Sequence, residues 1–368
     1  MRVKQLAIAL LLLTAMASVA RSQYTPSQIR QAYGLNSLAA DGAGQTIAII
    51  GAYDYPGALS ALNTFSSQYG LQQFNVTGGP TFTVLDQNGG TSLPGTDSTG
   101  GWEGEMALDI EWAHAMAPKA NIILYEASAP NNTNLFAAAD TARNNAAVSV
   151  VSMSFGRTEY GGQTGTDATF TTPSSRLNAS PRQGVTFVAG TGDAGPPSGY
   201  PATSPNVVAV GGTHLTLNGS NYVSETAWTS NGAGAGGPSA YEPKPAYQTS
   251  YGNLHGGVLA TLTNRATPDV AFDADPSTGV NVYDPYNGGW MSVGGTSLSA
   301  PCWAGLIACA NQLRTANGYG TLDGPSQTLP ALYSLPSADF HDITTGTITG
   351  TGGSYSAGSG YDLGRAHK

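Results

Sequence analysis

Five short, continuous apolar runs recur along the chain, at residues 46–50 (TIAII), 121–125 (NIILY), 148–152 (VSVVS), 185–189 (VTFVA) and 207–210 (VVAV). A strand with one face in water alternates polar and apolar residues, whereas a run that is apolar throughout is covered on both faces. Residues 58–69 and 135–145 carry helical patterns between these runs. Strands of this kind separated by helices predict an α/β fold with a parallel sheet flanked by helices. Residues 300–312 are apolar nearly all round and predict a fully buried helix. Glycine-rich stretches at 232–237 and 346–353 read as loops. No repeat or linker interrupts the pattern, so one domain is expected over residues 23–368.

Residues 1–22 read as a secretory signal: Arg2 and Lys4 form a charged start, residues 6–16 an apolar run, and Ser18, Val19 and Ala20 a cleavage region. The apolar run is short for a membrane span, and no later stretch looks transmembrane, so a secreted protein with no membrane partner is expected. Only two cysteines occur, Cys302 and Cys309, seven residues apart in one predicted helix. That spacing is a rise of roughly 10 Å, beyond disulfide reach, and both are expected to be small buried hydrophobes. The net charge is −9 and the pI about 4.8, which argues against a nucleic-acid partner. It suits an acidic medium, where exposed carboxylates approach their pKa and self-repulsion stays weak.

Four constellations could carry chemistry. Residues 294–301 (GGTSLSAP) join a strand-like segment to the buried helix, placing Ser297 at the helix start. Unpaired N–H groups and the helix dipole favour a developing anion there, and Pro301 suits a first helical turn. Glu105 and Asp109 are four apart in a predicted helix over 102–116 and share one face. Buried together they would share a proton, giving one carboxylate able to take a proton from a hydroxyl. Glu103 and Glu111 also allow a bland reading, a solvated acidic face. Asp193 lies among glycines just after a strand, where open parallel sheets place active-site loops. Asp342, Ile343, Gly358, Gly360 and Asp362 combine two carboxylates with backbone carbonyls, a set that suits one structural calcium ion or simple turn chemistry. Among the histidines, His114 and His214 are the alternatives for a catalytic base.

Taken together, these segments resemble the sedolisin, or serine-carboxyl peptidase, family. The family's Glu-x-x-x-Asp helix is similar to Glu105 and Asp109, and its Ser-Gly-Asp-x-Gly loop to Thr191–Gly195, with Thr in place of Ser. Its Ser-Gly-Thr-Ser motif resembles Gly294–Ser297, and the segments at 200–202, 211–213 and 268–270 and the calcium pattern at 342–362 also match. The resemblance implies a subtilisin-like three-layer fold with a central, mostly parallel sheet. It implies Ser297 as nucleophile, Glu105 as base, Asp109 as its partner, and protonated Asp193 at the oxyanion with Ser297 N–H. Residues 150–156 are expected to form one wall of the substrate cleft. The expected function is a secreted, acid-acting serine endopeptidase working on proteins or peptides as a monomer. No separate counterpart of the family's prodomain is expected, since mature-like residues 24–30 (YTPSQIR) follow the signal. The family's calcium loop runs on into a Thr-Gly-x-Gly closure, where this sequence reads Leu363–Lys368 (LGRAHK). The rival expectation is a secreted binding protein on an inactive peptidase scaffold.

Overall fold

The computed structural model describes residues 23–230 and 232–364, so the predicted signal at 1–22 lies outside the described residues. Ten strands and helices build the frame. Strands β1 (Thr46–Ala52), β2 (Phe82–Asp86), β3 (Asn121–Ala127), β4 (Val150–Met153), β5 (Thr186–Gly190) and β6 (Val207–Asn218) alternate with helices. These helices are α2 (Ala58–Tyr69), α3 (Gly101–Met116) and α4 (Asn132–Asn144), preceded by α1 (Pro26–Ala32). Strand β7 (Asn221–Ala227) turns back on β6 as an antiparallel neighbour. Beyond it, β8 (Gly237–Pro243) and β9 (Asn264–Thr267) pair with each other, and β10 (Val270–Asp273) returns to the main sheet beside β6. The hairpin β11 (Val280–Asp284) and β12 (Gly289–Val293) leads into α8 (Thr296–Ala316). Short helices α5 (Ser174–Leu177), α6 (Ala246–His255), α7 (Val258–Thr261) and α9 (Leu329–Leu332) complete the helical set, and β13 (Thr347–Gly350) pairs with β14 (Gly353–Ser356).

The main sheet runs β10-β6-β5-β4-β1-β3-β2, with every pair on that path parallel. All seven β1 residues are buried, because the two faces of the strand enter two separate cores. Ile47 and Ile49 join α1, α2, α3 and α8 on one side, while Ala48 and Ile50 join α4, Phe170 and Tyr200 on the other. This is the subtilisin-like, three-layer α/β arrangement, and it explains why the strands read as continuous apolar runs. The chain leaves β1 for β2 and β3 on one side and then crosses to β4 on the other. Such a reversal opens a crevice at the carboxyl ends of the strands.

Helices α3 and α8 lie against each other on the same sheet face. Residues 106–116 of α3 are buried without exception, and most of α8 from Thr296 to Cys309 is buried too. Gly305 marks how close they come: a Cβ there would sit 2.6 Å from Met116 Cβ. Burying each large apolar side chain in such a seam contributes about 1.5–3 kcal/mol, so the relative placement of the two helices is strongly determined. Cys302 and Cys309 are free and buried in α8. The buried helix starts at Thr296, four residues earlier than its apolar pattern, which places Pro301 inside it. The stretch 346–353, expected as a loop, contributes instead to the β13–β14 hairpin. Its glycines concealed the strand pattern because they carry no side chain to alternate.

Candidate active site

Helix α3 begins after Gly100, which has a left-handed φ of 71° and no side-chain cap. Asp97 serves the helix start instead, accepting from the N–H of Trp102 at 3.3 Å. A carboxylate is favoured at that end by the helix dipole. One and two turns on, Glu105 and Asp109 lie about 40° apart around the axis, both towards α8. Asp109 is 1% exposed. The Ser297 side chain faces Glu105, whose Oε1 is buried without a hydrogen-bond partner. Burial raises the Glu105 pKa, the neighbouring Ser297 side chain opposes it, and the Asp193 charge adds to the rise. Burial, then the Glu105 charge, holds Asp109 well above the usual carboxylate range, against the Ser154 hydrogen bond. Two carboxyls packed this way share a proton, leaving one carboxylate able to receive another.

Glu103 and Glu111 are also fully buried, so the solvated-face reading of this helix does not hold. Glu103 accepts from Asp97 N–H and Glu111 from Tyr283 N–H. They point away from the Glu105 side and hold the neighbouring segments instead.

Asp193 follows β5 in the crevice. Its Oδ1 accepts from Thr296 N–H at 2.9 Å and from Thr296 Oγ1 at 2.8 Å. Both bonds fall on one oxygen, leaving Oδ2 uncommitted beside the start of α8. Gly295 makes that approach possible: its φ is 99°, and a Cβ there would lie 2.7 Å from Asp193 Oδ2. Burial raises the Asp193 pKa, and the two Thr296 bonds oppose it. A carboxyl that keeps its proton is a hydrogen-bond donor, and Ser297 N–H is a second donor at the helix start. The four residues read from separate motifs thus converge on one crevice.

Among the described residues, the histidines lie elsewhere. His114 is nine residues beyond Glu105, about 180° round the helix. It is buried against Phe74, with ring centroids 4.6 Å apart, and burial pushes its pKa down to about 3. His214 Nδ1 lies 2.8 Å from Asp275 Oδ2, which also accepts from Ser230 at 3.0 Å. His255 packs against Tyr251, and His341 stacks on Tyr222. His367 lies outside the described residues. Ser154 was not singled out by sequence reasoning, beyond its place in the 150–156 segment. Its Oγ sits 2.5 Å from Asp109 Oδ1 and 3.2 Å from Ser297 O, contacts spanning 45 and 143 residues. Position just beyond a strand's carboxyl end was the only signal it offered.

The candidate calcium residues gather at the base of the β13–β14 hairpin. Asp342 Oδ2 accepts from Gly360 N–H and Asp362 Oδ2 from Gly358 N–H, each at 2.9 Å. One loop therefore links both carboxylates. Asp342 is exposed and Ile343 buried. No group of three or more His, Cys, Asp or Glu residues able to hold a metal occurs among the described residues. Any cation here would take most of its ligands from backbone carbonyls. The hairpin itself packs on the Asp193 loop, with Gly352 N–H donating to Pro196 O at 2.8 Å and Thr349 against Gly195.

Among the described residues, no helix is long and apolar enough to cross a membrane. The sequence profile of the subtilase family matches residues 89–326. Over 365 residues the chain is 34% identical to kumamolisin of Bacillus sp. (strain MN-32), covering 94% of this chain and 61% of that protein. It is 32% identical over 365 residues to sedolisin of Pseudomonas sp. (strain 101), covering 92% and 58% respectively. The chain thus spans about three fifths of the length of these curated relatives. Its fold superposes on Pseudomonas sedolisin, a serine-carboxyl proteinase solved with two molecules of pseudo-iodotyrostatin. That match has a TM-score of 0.73 and 28% identity, and covers 94% of each chain.

Proposed function

This chain belongs to the subtilase family, among the sedolisin–kumamolisin serine-carboxyl peptidases, and from that membership we propose that it is a secreted, acid-acting endopeptidase. The observation that carries the reading is the convergence of Ser297, Glu105, Asp109 and Asp193 on one crevice, with no histidine at the serine among the described residues. Ser297 Oγ attacks the scissile carbonyl while Glu105 takes its proton. The oxyanion accepts from Asp193, in its neutral form, and from Ser297 N–H. Glu105 then returns the proton to the leaving amine, and the acyl-enzyme is hydrolysed by water activated in the same way. Asp109 is the partner of Glu105 and holds the proton that the pair shares.

The sign of the pH dependence follows from the donors. Asp109 and Asp193 act only while protonated, so activity falls as pH rises through their elevated pKa values. A histidine base would gain activity as it deprotonates near pH 6 to 7, on the order of its free pKa. The test is hydrolysis of a denatured protein across pH 3 to 8 by wild type and Ser297→Ala. The expected optimum lies between about pH 3 and 5, with Ser297→Ala at background throughout. Products should be internal fragments, whereas successive tripeptides from the N-terminus would replace the endopeptidase assignment. An optimum at or above pH 7, or a Ser297→Ala variant with more than a few per cent of wild-type activity, overturns the mechanism.

A calcium ion at the hairpin base fits the all-oxygen donor set there. Asp342 and Asp362 would hold it with the carbonyls of Ile343, Gly358 and Gly360. It would supply cross-linking of the C-terminal loops and take no part in the chemistry.

A further inference from the structure

Helix α8 contains a defect one turn beyond the nucleophile. In a regular helix the N–H of residue 301 donates to the carbonyl of residue 297. Residue 301 is proline, which has no N–H to give. The nucleophile's own carbonyl therefore loses its ladder donor. Ser154 Oγ lies 3.2 Å from that carbonyl oxygen, arriving from the end of β4 across the crevice. The same hydroxyl lies 2.5 Å from Asp109 Oδ1. A serine hydroxyl has one proton, so it can donate to only one of these two acceptors.

Which one depends on where the carboxyl proton sits. When Asp109 Oδ1 carries a proton, it donates to Ser154 Oγ, and Ser154 is free to donate to Ser297 O. When Asp109 is ionised, the Ser154 proton turns to the carboxylate and Ser297 O is left unserved. The titratable groups that bear on Asp109 are Glu105 on its own helix and Cys302 on α8, with Asp193 acting through Glu105. We infer that Ser154 is a positioning residue for the proposed peptidase reaction: it replaces the hydrogen bond that Pro301 removes and fastens the backbone of Ser297 to Asp109. The acid pair then does two things, activating the nucleophile through Glu105 and holding its main chain through Ser154.

The inference rests on the peptidase reading, and the test separates the two. Steady-state kinetics at the acid optimum are measured for wild type, Ser154→Ala, Pro301→Ala and the double variant, with melting temperatures alongside. Ser154→Ala should lower kcat about tenfold with KM within about twofold, because the bond held is to the nucleophile and not to substrate. Alanine at 301 restores an N–H to Ser297 O, so the double variant should recover most of the kcat lost. A purely structural role for Ser154 predicts no such rescue. If Ser154→Ala keeps more than half of wild-type kcat, or if Pro301→Ala gives no recovery in its background, the positioning role is wrong while the peptidase reading stands. A wild type inactive at every pH, indistinguishable from Ser297→Ala, overturns the peptidase reading and this inference with it.

Discussion

The α3–α8 seam and the C-terminal hairpin base both gather carboxylates, yet they are held in different ways. Glu105 and Asp109 project from a helix whose residues 106–116 are all buried, and Ser297 from a helix packed on it at Gly305. Their placement is set by side-chain packing, which tolerates little displacement. Asp342 and Asp362 sit on glycine-rich loops and accept from the N–H groups of Gly360 and Gly358. Asp342 is exposed there, so a bound cation has more to add. The two regions are nevertheless connected, since the hairpin above the loop rests on the turn that carries Asp193. The carboxylates of the seam are placed by a buried helix, and those of the hairpin base where loops meet.

Substitution at the seam should give the largest effect. Glu105→Gln removes the base but keeps its shape, and kcat should fall by roughly 10²–10⁴. The melting temperature at pH 7 should hold or rise, because a buried carboxyl is replaced by a neutral amide. A variant retaining wild-type kcat would make the seam a purely structural acid pair and erase the contrast with the hairpin.

Next is stability against pH, read on Ser297→Ala so that self-cleavage does not intervene. Burial raises the pKa values of Glu105, Asp109, Glu111, Asp193 and Asp273. The folded state then binds more protons than the unfolded chain once pH exceeds the unfolded value of about 4, so stability falls as pH rises through the folded values. Asp275 works the other way: burial raises it, but bonds from Ser277, His214 and Ser230 outweigh burial and lower its pKa. Its contribution is lost only as pH falls through that lower value. The melting temperature should therefore peak in mild acid and drop on the order of 10 °C by pH 8. A higher melting temperature at pH 8 than at pH 4 would contradict the buried, proton-holding seam.

The hairpin base should give the smallest effect. Chelation of calcium-loaded protein should lower the melting temperature by about 5 °C, and Asp342→Ala should abolish that response. Activity should follow modestly, through the Asp193 loop, and without the collapse expected of Glu105→Gln. Protein shown to contain calcium that does not shift on chelation would remove the bracing role and leave ordinary turn chemistry.

Much of this was legible in the chain. The apolar runs marked β1, β3, β4, β5 and β6 because strands covered on both faces need apolar residues throughout. The four-residue spacing of Glu105 and Asp109 put them on one helix face, and the same arithmetic sets His114 on the opposite one. The later half of β6, β7 and the β13–β14 hairpin were not legible, since their residues are polar or glycine and carry no strong periodic signal.

Local sequence determined what depends on neighbours within a turn or a strand: the covered sheet, the buried helices, the acid pair on one face, the serine at a helix start. Tertiary structure alone decided what depends on contacts across the crevice. It buried Glu103 and Glu111 rather than exposing them, because α3 is enclosed by the sheet, α8 and the β11–β12 hairpin. It turned one oxygen of Asp193 to Thr296 and left the other beside Gly295. It brought Ser154 to Asp109 and Ser297. Periodicity reports which face of an element is covered; it carries no information about which distant side chain covers it.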